Sequence, residues 1–137
     1  MTTILLAYVP SATSEAALAY AIEEANRRDA RLLVLASERA PDPRKARGVT
    51  DQRPLPERLA ETGLEHELRT VPRRDDPADD ILDAIDSEPV ALVVLGIRRR
   101  TPIGKILLGS TSQRVAIEAP VPVVLVKPDT FVAPTRF

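Results

Sequence analysis

Four short runs of almost unbroken apolar residues set the strongest constraint on this chain. They are residues 4–9 (ILLAYV), 31–36 (RLLVLA), 90–95 (VALVVL) and 122–126 (PVVLV). A strand with one wet face alternates apolar and polar residues. Runs like these suit strands covered on both faces, and such strands belong to parallel sheets with helices above and below. The intervening sequence supplies the helices. Residues 12–28 place Ala16, Leu18, Ala21, Ile22 and Ala25 at helical spacing, with Ser14 in the cap region and Asp29 closing the helix. Asp76 and Pro77 open another helix, as a capping acid and a proline at the first helical position do. Ile81, Leu82 and Ile85 form its apolar face. Residues 109–119 read as a further helix. Residues 65–71 alternate, so they predict a strand near a sheet edge. The alternation of strand and helix predicts one open α/β domain over residues 1–137.

Composition narrows the function. Lys and Arg number 19 against 20 Asp and Glu, giving a net charge of -1. That balance leaves no basic footprint for nucleic acid or membrane. With two Phe, two Tyr and no Trp, stacking surfaces for bases are scarce. The absence of Cys removes disulfides and thiolate chemistry, and a single His, His66, removes any multi-histidine metal site. No run reaches membrane-spanning length, and the amino terminus lacks a basic leader and a cleavage site, which favours the cytoplasm.

Residues 38–54 interrupt the pattern. Pro41, Pro43, Gly48 and Pro54 are scattered among charged residues, which predicts a mobile surface loop. A short helix over residues 55–61, ended by Gly63, follows it. Residues 128–137 read as a tail.

The stretch from Gly96 to Ser110, GIRRRTPIGKILLGS, carries the chemistry. A strand ends at Gly96, a loop crosses, and Gly109 with Ser110 opens a helix. A helix start offers unpaired N–H groups and the positive end of the dipole, which suit a phosphate. Gly109 lets an anion approach the backbone closely, and Ser110 adds a hydroxyl. Ser110, Thr111 and Ser112 are each either ligands or caps. Arg98, Arg99 and Arg100 form a basic cluster that is either an anion grip or a solvated loop. The segment IGKIL is not a P-loop, because Arg99 stands where that motif needs its first Gly and Ile106 where it needs Ser or Thr.

Other candidates read as structural. Asp75, Asp76, Asp79, Asp80 and Asp83 complement a helix dipole better than they hold a metal. His66, between Glu65 and Glu67, has no nucleophile tied to it and reads as a solvated edge residue. Neither a Ser–His–Asp set nor a paired-acid cleft is present in the pattern.

At these residues the chain resembles the universal stress protein family. The family signature is a glycine, two residues, a glycine, nine residues, then glycine with Ser or Thr. Gly96 and Gly109-Ser110 occupy its ends with the spacing intact. The flanks ALVVLG and STSQRVAIEAPVPVVLVKP and the opening ILLAYVPSATSEAALAYAIEEA are similar too. The resemblance implies a five-stranded parallel sheet in order 3-2-1-4-5 of the adenine-nucleotide alpha-hydrolase-like kind. Its ligand site lies at the switch point between strands 1 and 4, where loops beginning at Val9 and Gly96 meet. ATP or a related adenine nucleotide would lie with adenine near Ala7 and Ala36. Its phosphates would lie on Gly109, Ser110 and Thr111, with charge from Arg98 or Arg99 and room from Gly96. Mg²⁺ would enter through the nucleotide alone.

Three positions depart from the family pattern. Val9 stands where nucleotide binders usually carry Asp, Pro10 where Gly is usual, and Arg99 at the middle glycine of the signature. Arg99 either swings out to pair with phosphate or fills its space.

The apolar run from Val121 to Val126 falls at a sheet edge in this order. Pairing with its copy about a two-fold axis would cover it, with Phe131, Val132 and Phe137 packing across; the alternative is a monomer whose tail folds back over its own edge. The leading expectation is a cytoplasmic homodimer that binds an adenine nucleotide and acts as a stress regulator rather than an efficient catalyst. The alternative is a dimeric interaction module of the same fold without nucleotide. A slow ATP hydrolase is third, because no metal anchor or water-activating group can be named for it.

Overall fold

The computed structural model describes residues 1–37, 49–72, 76–97 and 109–128. Five strands form one parallel sheet: β1 (Thr3–Tyr8), β2 (Arg31–Ser37), β3 (His66–Val71), β4 (Val90–Gly96) and β5 (Val123–Val126), in the order β3-β2-β1-β4-β5. Four helices join them in the described residues: α1 (Ala12–Arg28), α2 (Leu55–Ala60), α3 (Ala78–Ser87) and α4 (Ser110–Glu118). The order agrees with the expectation, and the direction of crossing reverses between β1 and β4.

Successive strand residues point to opposite sheet faces. Ile4, Leu6, Tyr8, Leu32, Val34, Leu92 and Val94 face one way, and the buried residues of α1 together with Leu59 of α2 pack on them. Leu5, Leu33, Leu35, Val93 and Leu95 face the other way, against Ala78, Ile81, Ala84 and Ile85 of α3 and Val115 of α4. The central strands carry apolar residues at both parities because each parity meets a helix layer. Full burial of each Leu, Ile or Val contributes roughly 1.5–3 kcal/mol.

The helix ends follow local chemistry. Ser11, not Ser14, caps α1, and its Oγ accepts from the Ser14 amide at 3.2 Å. Asp29 ends α1 in the left-handed region at φ 53°, where its amide returns to the carbonyls of Ala25 and Asn26. Pro77 stands at the cap position of α3, and Asp76 before it accepts the Ala78 amide at Oδ1, at 3.0 Å. Gly63 follows α2 at φ 74°, a conformation that favours glycine.

Several boundaries move by a residue. β1 stops at Tyr8, so Val9 belongs to the turn, and β5 begins at Val123. Of the expected loop at 38–54, residues 38–48 lie outside the described residues. Residues 49–54 are hydrogen-bonded: Asp51 accepts from the amide and guanidinium of Arg53, and Gln52 donates to the Val49 carbonyl. Phe131, Val132 and Phe137 also lie outside the described residues. His66 sits on the edge strand β3 with Nδ1 2.9 Å from the Leu64 carbonyl.

Candidate functional site

The carboxyl ends of β1, β2 and β4 lie side by side. Tyr8 is in register with Ala36, and Ala7 with Leu35. Gly96 closes β4 opposite Val126 of β5, and Ile97 donates to the Val126 carbonyl at 2.9 Å. A helix that joins two parallel neighbouring strands runs antiparallel to both. The amino end of α4 therefore lies at the carboxyl edge of β4 and β5, as does the amino end of α1 beside β1.

The turn after β1 satisfies itself. Val9 donates its amide to Ser14 Oγ at 3.1 Å and accepts at its carbonyl from Ser11 Oγ at 3.2 Å. Ser11 Oγ also lies 3.1 Å from Thr13 Oγ1. Val9 is 46% exposed, and its side chain carries no acceptor. At this edge β1 offers an apolar side chain where a ligand hydroxyl would need a carboxylate.

Gly96 meets α1 directly. A Cβ built on it would overlap the carbonyl oxygen of Thr13 and lie 2.6 Å from the carbonyl carbon. On that side, the space a missing side chain frees is filled by α1. Sequence reasoning assigned that room to a phosphate. The packing explains the glycine without any ligand.

At α4 the cap is Gly109, with φ -59° and ψ 155°. Ser110, Thr111 and Ser112 are thus the first three helical residues rather than caps. Among the described residues no side chain caps this end, and no acid stands in its first turn. Gly109 accepts from the Gln113 amide at 2.9 Å, which starts the helical ladder. Ser110 is exposed and Thr111 half-buried. Arg98, Arg99 and Arg100 lie outside the described residues, so the basic cluster is not placed relative to this helix end.

A second feature at the same edge has no linear signature. Tyr8 donates its hydroxyl to Glu15 Oε2 in a short hydrogen bond. Arg58 of α2 grips the same carboxylate with both terminal nitrogens, at 3.0 and 2.6 Å. Arg58 Nε also lies 3.3 Å from Asp51, which is paired with Arg53. Burial, reinforced by Glu15, pushes the Tyr8 phenol up to about 12. The Arg53 guanidinium beside Asp51 holds its carboxyl well below the usual range. The grip of Glu15 likewise raises Arg58. Above this network a cleft of about 250 Å³ opens between the β1 turn and α2. Tyr8 and Pro10 line one wall, and Val49, Asp51, Gln52, Arg53, Leu55 and Arg58 the other. Ala7 and Ala36, expected near an adenine, are half-buried strand residues that do not line it.

The acids of α3 are structural among the described residues. Asp76 accepts the Ala78 amide, and Asp76 and Asp79 each lie 2.7 Å from Arg114 of α4. Arg114 holds Asp76 below its ordinary range, after the larger effect of the Ala78 amide. Asp75 lies outside the described residues. No group of three or more acids and histidines among the described residues is arranged to hold a metal ion.

Residues 1–127 match the universal stress protein family. A universal stress protein of Mycolicibacterium smegmatis is 40% identical over 131 residues, covering 93% of this chain and 99% of that protein. A universal stress protein structure from Archaeoglobus fulgidus superposes with a TM-score of 0.70 at 30% identity, covering 93% of this chain and 99% of that one. A second structure, the universal stress protein from Archaeoglobus fulgidus in complex with dAMP, has a TM-score of 0.60 at 23% identity, covering 93% and 98%.

Proposed function

This chain belongs to the universal stress protein family, and from that premise we propose that it binds an adenine nucleotide, ATP or a close relative, at the carboxyl edge between β1 and β4. The observation that carries this reading is the amino end of α4. It starts at a glycine, bears no side-chain cap among the described residues and no first-turn acid, and lies at the edge where the sheet changes direction. Its first amides and the Ser110 hydroxyl suit a phosphate. The bound dAMP of a structure with the same fold supports the choice of ligand class. Gly109, Ser110 and Thr111 would hold phosphate, Arg98 or Arg99 would add charge, Ala7 and Ala36 would lie near the adenine, and the loops beginning at Val9 and Gly96 would meet at the site. The protein would act in the cytoplasm as a regulator of stress adaptation. It would do so as a homodimer joined through residues 121–126, because β5 is a four-residue edge strand whose side chains are all half-buried. No helix among the described residues is long and apolar enough to cross a membrane.

A second reading has its own observation. Val9 offers no acceptor, and Gly96 is taken up by packing against Thr13. Both suit an interaction module that keeps the fold without a nucleotide.

Acid extraction of the purified protein, followed by ATP titration against melting temperature with and without Mg²⁺, separates the two. A ligand bound only by the native state raises stability with its concentration. Released adenine nucleotide or a rising melting temperature supports the first reading. A flat response to millimolar ATP with no released nucleotide overturns it in favour of the second.

A further inference from the structure

The helix that would receive the phosphate has a crowded electrostatic neighbourhood. Asp76, just before α3, and Asp79, in its first turn, reach α4, and Glu118 lies one turn below Arg114 on α4 itself. Arg114 gathers all three carboxylates, at 2.7, 2.7 and 2.8 Å. It stands four residues after Ser110, about 6 Å along the helix axis, which is within a Debye length at ordinary ionic strength. Asp76 and Asp79 stand at the amino end of α3, which, like the amino end of α4, follows a strand and so lies at the carboxyl edge of the parallel sheet. Three negative charges there oppose an incoming anion, and the guanidinium offsets part of that field. Its pairs are one-third or more exposed, so they contribute little to stability.

We propose that Arg114 is a positioning residue that keeps the amino end of α4 receptive to an anion, by holding and neutralising the carboxylates that α3 brings beside it. This inference rests on the nucleotide reading above. It assigns a role in binding to a residue outside the glycine signature and outside contact with the ligand. It also explains why a helix with one fully buried side chain, Val115, carries an arginine paired with three acids.

The test is calorimetric titration of ATP into the parent protein and three variants at low and high ionic strength. The variants are Arg114→Gln, Arg114→Lys, and Arg114→Gln combined with Asp76→Asn and Asp79→Asn. Asn at 76 keeps an oxygen for the Ala78 amide. Arg114→Gln should bind ATP roughly threefold to tenfold more weakly at low salt, with the loss shrinking at high salt and the melting temperature nearly unchanged. Arg114→Lys should keep most of the affinity, and removal of the two carboxylates should restore it. An Arg114→Gln protein that binds like its parent at low salt overturns the inference and leaves the nucleotide reading standing. So does a loss insensitive to both salt and the Asn pair. A parent that binds no ATP overturns the nucleotide reading and this inference with it.

Discussion

Gly96, the last residue of β4, lies against the backbone carbonyl of Thr13 in the first turn of α1, with no space for a methyl group between them. The contact fixes how deeply α1 seats on the sheet at the edge where the candidate site lies. Its partner is backbone in a hydrogen-bonded helix start, so it cannot swing away as a side chain can. Gly96→Ala should therefore destabilise the fold by about 3 kcal/mol, the upper range of core overpacking. Chemical denaturation checks this. A change below about 0.5 kcal/mol, typical of an innocuous surface site, would show that α1 yields easily.

Glu15 is the common acceptor for Tyr8 and Arg58. Replacing it with Ala takes from Tyr8 its acceptor and from Arg58 its two-pronged partner, leaving Asp51 beside Nε, at a cost of about 1–3 kcal/mol. Tyr8→Phe alone should cost less. The double variant should cost less than the sum of the two, because the first loss already breaks the shared bond. Strict additivity in a double-mutant cycle would show that Tyr8 and Glu15 do not communicate.

The phenol of Tyr8 is raised from 10.0 to about 12, mainly by burial and then by Glu15. A group whose folded pKa is raised stabilises the fold fully below its unfolded value and loses that contribution as pH climbs through the folded value. Stability should thus fall between pH 10 and 12 more steeply in the parent than in Tyr8→Phe. Melting temperatures across this window, with ultraviolet titration of the phenols, report it. Parallel curves for the two proteins would remove Tyr8 as the cause.

Gly109 has φ -59° and ψ 155°, which any residue can adopt. Gly109→Val should leave the fold and its oligomeric state intact while its side chain blocks close approach to the first amides of α4. The melting shift with ATP should disappear. A Gly109→Val protein that responds to ATP as the parent does would place the phosphate elsewhere.

The sheet was legible because four apolar runs announce strands covered on both faces, and their order with the helices leaves few topologies. Helix α1 was legible to the residue through its apolar spacing and Asp29. Its cap is Ser11 rather than Ser14, a choice hidden in sequence because the two serines are chemically equal and only the turn's geometry selects Ser11. The glycine pattern located α4, but spacing could not tell a glycine kept for a ligand from one kept for packing. Gly96 packs. The Tyr8–Glu15–Arg58 network was illegible, since Arg58 lies 43 residues from Glu15 and α2 brings them together only in the fold. The buried Glu24, held by Arg27 and Arg28, was likewise hidden among ordinary helix charges.

The turn that follows β1 has a consequence for kinetics. Both polar groups of the Val9 backbone are already bonded to serines, so this rim of the edge has its hydrogen bonds made beforehand. A visitor arriving there would find little to organise, and deuterium uptake at Val9 should be slow whether or not the edge is occupied. Encounter at this rim would then be paced by diffusion and charge rather than by rearrangement of the chain.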